Sequence, residues 1–137
     1  MRQKTVMSLA QARQIVQAAA AEAAGNRWPV VIAVVDDGGH LVCLERLDGA
    51  QFGSIETAIA KARAAAAFRR PTKVWSDRLL DGQIGYLTMP GVLGLEGGLP
   101  LTLDGEVVGA IGVSGVTSGE DAQVARAGVA ALAPMAA

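Results

Sequence analysis

Cysteine and histidine are nearly missing from this 137-residue chain, which has one of each. A single cysteine, Cys43, excludes an internal disulfide and a cysteine-rich zinc site. A single histidine, His40, leaves no conventional all-protein zinc site. Aromatic residues are also scarce, at 4% of a chain that is 51% hydrophobic. Alanine, valine, leucine and glycine therefore carry the apolar character, and helices must pack closely on small side chains. No charge excess exists: 12 basic and 13 acidic residues give a formal net charge of −1, and no lysine or arginine block stands out. That argues against nucleic acid and against a membrane surface held electrostatically. No run reaches the roughly 18 apolar residues that a bilayer span needs. The first 25 residues have early positive charge and many alanines, but Gln11, Arg13, Gln14 and Gln17 interrupt any signal-peptide core. A cytoplasmic protein is expected. Internal repeats and linkers are absent, so residues 1–137 read as a single domain.

What is present is a clear alternation of elements. Ser8–Gln11 has the form of a capping box. Leu9, Ala12, Val16, Ala19 and Ala23 then recur on one helix face, and Gly25-Asn26 ends the helix. Val30–Val35 is a β-branched run, Asp36–His40 a turn, and Leu41–Leu47 a returning strand. So short a link makes a hairpin. A second helix is expected over about Phe52–Phe68, with Ile55, Ile59, Ala62 and Ala66 on one side and Pro71 breaking it. Thr72 is placed to cap a shorter helix through Val74, Trp75 and Leu79. Asp81–Gly98 reads as loop, and "GGLPLTLDGEVVGAIGVSG" as a hairpin with a type I′ turn at Asp104-Gly105. Thr117–Asp121 opens a last helix, with Val124, Gly128, Val129 and Leu132 facing inward. Hairpins covered by helices give an α+β layered domain.

Few residues offer chemistry. His40 follows Gly39 at a turn and has an imidazole able to hold haem iron. Tyr86 and Met89 have donor atoms that iron accepts, and both also serve as packing. The loop before the second hairpin is neither a Walker loop nor a dinucleotide fingerprint. Its Gly94, Gly97 and Gly98 are positions where bare amides can meet an anion or simply relieve strain. Gly109, Gly112 and Gly115 mark close approach of another element or a ligand. Lys61, Arg63, Arg69 and Arg70 lie late in the second helix, either complementing its dipole or forming a carboxylate clamp. Asp36 and Asp37 are adjacent and so make a poor acid/base pair. Ser54, Ser114 and Ser118 lack the nucleophile-elbow context of a serine hydrolase.

Three blocks, "VVDDGGHLVCLERLDGA" (34–50), "SIETAIAKARAAAAFRRPT" (54–72) and "GGLPLTLDGEVVGAIGVSG" (97–115), closely resemble the GlcG/HbpS family, which includes the C-terminal domain of PduO. The resemblance implies an antiparallel sheet of about five strands flanked by helices, a profilin- or PAS-like layering. It also implies homo-oligomers, tetramers or octamers, that bind haem or related small molecules and are linked to catabolism of small acids and diols. Gly97, Gly98 and Pro100 match the family's "GG-hydrophobic-P" segment, Lys61 its "A-x-x-KA" helix, and His40 its "VVDxGGxLV" turn. The further histidines of some haem-binding relatives are absent. Three functions follow. One is an oligomer binding a small ligand, with haem the named choice. Its iron would be on His40 or on a weak oxygen or sulfur ligand, and its propionates on Lys61 or Arg70. The second is an isomerase- or hydrolase-type enzyme acting on a small unsaturated carboxylate, with Gly97-Gly98 amides holding developing charge and Lys61, His40 or Glu56 moving protons. The third is a structural subunit without chemistry. The mechanistic readings share one expectation: His40, Lys61 and Gly97-Gly98 surround a single cleft.

Overall fold

A run of β-branched residues too apolar to face water on either side becomes the centre of the sheet. In the computed structural model, which describes residues 1–132, Val31–Val35 are fully buried in strand β1 (Val31–Asp36). The expected domain span ends at residues 133–137, outside the described residues. β1 turns back antiparallel into β2 (Leu41–Arg46), while β3 (Gly98–Leu103) pairs antiparallel with β4 (Glu106–Ser114). β1 and β4 pair in turn, giving the order β2-β1-β4-β3. The α+β architecture is as expected, but the sheet has four strands rather than five. The two hairpins supply all four. Between them the chain is helical or, through the glycine-rich stretch with positive φ at Gly82 and Gly91, too sharply turned to extend as a strand.

The strand alternation divides the sheet into two unlike faces. Ile32, Val34, Ile111 and Val113 point to one side and pack with Ile15, Val16 and Val124 from α1 (Leu9–Gly25) and α4 (Ser118–Ala130). Each fully buried Val or Ile side chain contributes about 1.5–3 kcal/mol to folding. Ser8 caps α1 by accepting from the Gln11 amide, whereas the Gln11 side chain turns to Gln14 instead of closing a reciprocal box. Leu9, expected on the inward face, is exposed because it starts the helix beyond the sheet's cover, and Ile15 fills the core.

The other face is lined with small residues. Val35 and Ala110 pack on Ala62, Ala65 and Ala66 of α2 (Gly53–Phe68), and Val31 and Ala33 pack on Ala58. At Gly112 the helix comes so close that an added Cβ would collide with the Ala58 carbonyl and the Ala62 amide. Thr72 does not cap α3 (Lys73–Leu80) with its side chain. Its Oγ1 accepts from Gly98 N–H at 2.9 Å, and its amide donates to Gly98 O at 3.0 Å. The pairing serves the outer edge of β3, where backbone groups lack a further strand. A short 3-10 helix, Ile84–Thr88, follows α3.

Candidate functional site

Lys61 and Gly97-Gly98 come together, at the corner where α2 crosses the end of β4. Lys61 Nζ donates to Val113 O at 2.8 Å and to Asp121 Oδ2 at 3.0 Å, and the lysine is only 2% exposed. Asp121 Oδ1 accepts from Val116 N–H at 3.1 Å. Burial pushes the Asp121 carboxyl above its ordinary range, although Lys61 and the amides of Val116 and Gly115 pull the other way. Gly97 has φ +129, and a Cβ there would stand 2.7 Å from Val113 O and 2.9 Å from Lys61 Nζ. The Gly98 amide is given to Thr72, and Gly97 O accepts from Val113 N–H at 3.0 Å. Pro100 stands further along β3, opposite Ala110. The corner is thus a closed knot of protein–protein bonds. Asp121 is its unforeseen member, visible in the sequence only as an acidic residue in a helix's first turn.

His40 lies elsewhere, which corrects the expectation of a single cleft. β1 pairs Ile32 with Val113 and Asp36 with Gly109, so the Lys61 corner and the Asp36–His40 turn occupy opposite ends of that strand. Four residues of strand separate them by about 13 Å. The imidazole is 81% exposed, with Nδ1 3.3 Å from Asp36 Oδ1. Burial alone would raise the Asp36 carboxyl, but hydrogen bonds from the His40 and Gly38 amides and the adjacent imidazole leave it lowered. Asp37, Gly38, Gly39, Arg63 and Ala67 complete a hollow of about 390 Å³ around His40, in which Arg63 Nε donates to Gly39 O. Glu56 is exposed in the first turn of α2.

A third place was not foreseen as a unit. Trp75 of α3, 2% exposed, packs edge-on against Phe68 at 5.1 Å and at a tilt against Tyr86 at 5.2 Å between ring centroids. Arg70 lies 5.5 Å over the Trp75 ring, and Arg78 lies 5.1 Å from both the Trp75 and Tyr86 rings. Arg78 Nη1 also donates to Tyr86 Oη at 3.2 Å. Trp75 Nε1 is buried without a hydrogen-bond partner, a costly arrangement for a donor. Beside this cluster, Gln83, Gly85, Tyr86, Thr88, Met89 and Pro90 line an open hollow of about 560 Å³. Leu80, Ile84 and Leu87 stand exposed on the same segment. Trp75 and Arg78, three apart on one helix, were a readable signal. Their meeting with Phe68 and Tyr86 depends on turns that no local pattern specifies.

Among the described residues, no group of three or more His, Cys, Asp and Glu side chains is arranged to hold a bare metal ion. None of the described helices is long and apolar enough to cross a membrane. The hollow beside Tyr86 does fit haem by its chemistry. It falls within the usual range of ligand-site volumes, about 300–1,000 Å³, and it has a phenol, a thioether and neighbouring guanidinium groups.

A family model described as haem degrading protein HbpS-like matches residues 7–130. Protein GlcG of Escherichia coli is 44% identical over 114 residues, covering 83% of this chain and 85% of its own. The crystal structure of a double mutant of HbpS from Streptomyces reticuli superposes with TM-score 0.88 at 36% identity, covering 97% of this chain and 91% of that one. A crystal structure of a PduOC–haem complex superposes with TM-score 0.82 at 30% identity, covering 93% and 95%.

Proposed function

The chain belongs to the HbpS-like family, and from that premise we propose that it binds haem, in the hollow beside Tyr86. The observation that carries the reading is this mostly apolar hollow lined by Tyr86 and Met89, with the Arg70 and Arg78 guanidinium groups on the adjoining Trp75–Tyr86 cluster. A flat apolar macrocycle with two carboxylates asks for that combination. Tyr86, Met89 and Pro90 supply apolar contact area. Arg70 is exposed, and its Nε is held by Phe68 O, which leaves its terminal nitrogens to pair with a propionate. When bound, haem supplies an iron centre with redox chemistry. The chain's own part is to hold the macrocycle, neutralise its carboxylates and offer a donor atom to the iron.

Lys61 serves the fold in this reading, joining α2 to α4 through Asp121. His40 remains the competing iron ligand, from its separate hollow. A second copy of the chain, in a tetramer or octamer, would cover Leu80, Ile84 and Leu87. The catalytic reading for a small carboxylate has less support, since the Gly98 amide it would use is engaged by Thr72.

Titrating the protein with hemin should give a saturable shift of the Soret band. Thr88→Trp, which fills the hollow, should weaken binding at least about tenfold, a change of about 1.4 kcal/mol, with a loss of stability no larger than its one hydrogen bond to Gly85 O, about 0.5–1.5 kcal/mol. His40→Ala should leave binding intact. No saturable shift, or loss only in His40→Ala, would contradict the proposal.

A further inference from the structure

Resting on the haem reading above, we infer that Tyr86 Oη is the iron ligand and that Arg78 is its positioning residue. Tyr86 is half-buried, lines the hollow and is held from two sides, by the Trp75 ring at 5.2 Å and the Arg78 guanidinium at 5.1 Å. A guanidinium has donors and no acceptor, so in the 3.2 Å contact the Tyr86 oxygen accepts and its own O–H is directed away from Arg78. The hydrogen of that O–H is what ferric iron would displace when tyrosine binds as phenolate. Tyr86 gives its proton to solvent as the iron–oxygen bond forms. Arg78, which stays protonated, then keeps one charge-assisted hydrogen bond to an oxygen that has become anionic.

The alternatives are less well prepared. Met89 lines the same hollow, but its thioether is a neutral and weak acceptor. The His40 imidazole faces water, and its Nδ1 is turned to Asp36.

Tyr86 is the chain's only tyrosine, so isotope labelling reads it alone. Resonance Raman spectra of the hemin-loaded protein should contain iron-phenolate modes that shift when the chain is made with ring-deuterated tyrosine. Tyr86→Phe keeps the ring against Trp75 but should lose those modes at saturating hemin and weaken hemin binding at least about tenfold. Arg78→Leu should weaken hemin binding about tenfold and displace the modes, and Arg78→Lys should recover most of both. Met89→Leu should leave the modes in place. Bound hemin with no label-sensitive mode, or with a signature removed by His40→Ala, overturns the ligand assignment and leaves haem binding standing. Hemin that does not bind at all overturns both.

Discussion

Two opposite charges, Lys61 and Asp121, sit at 2% exposure each and face one another across 3.0 Å. Such a pair gains little over apolar residues of the same shape, yet removing one partner strands the other. Lys61→Met should therefore cost about 3–5 kcal/mol, and Lys61→Met combined with Asp121→Leu should recover a large part of it. Urea unfolding of the three variants measures this. A double variant no more stable than the single one would mean that the lysine matters through its bond to Val113 O instead. The sequence drew attention to Lys61, as one of four cations late in the second helix and as the lysine of the "A-x-x-KA" segment. It did not reveal the partner, because sixty residues separate the two and only the crossing of α2 over β4 brings them together. His40 is the reverse case. Its turn was legible, but its distance from Lys61 followed from strand register, which no motif states.

Elements were easier to read than residues. Both hairpins announced themselves through apolar runs broken by Asp-Asp-Gly-Gly and Asp-Gly, and Asp104 and Gly105 do adopt positive φ at the second turn. The fifth strand was inferred from family likeness, not from any apolar run, and among the described residues no segment outside the two hairpins forms one. Thr72 looked like a cap from its place before α3, but an unpaired amide at the sheet edge claimed its hydroxyl. Of the glycines in and beside β3 and β4, Gly98 and Gly112 answer to the packing of α2, whereas Gly109 is closed in by Val35 O of the neighbouring strand and Gly115 by Pro29 O. Gly112 lets α2 lie against the sheet, and Gly112→Ala should cost about 1–3 kcal/mol, since the obstacle is helix backbone rather than a movable side chain. Thermal or urea denaturation checks this, with Gly119→Ala as a control, because nothing stands within 4 Å of a Cβ at Gly119. Equal stability of the two variants would refute close packing as the reason for glycine at 112.

At the scale of the molecule, the sheet and its two helical layers fix a scaffold, and the segment from α3 through the 3-10 helix carries what the scaffold does not need. It holds the half-buried Tyr86, the exposed Leu80, Ile84 and Leu87, and an indole donor without a partner. In the sequence its first part reads as a short helix and the part from Asp81 onward as a glycine-rich loop. Its aromatic stack is assembled from positions 68, 75 and 86, which lie on α2, α3 and the 3-10 helix, so no single element's periodicity brings them together. Hydrogen exchange with and without one equivalent of hemin tests the placement of the ligand most directly. Amides of residues 83–92 should slow on hemin binding, and those of residues 37–40 should not. Protection at residues 37–40 with none at 83–92 would contradict the account.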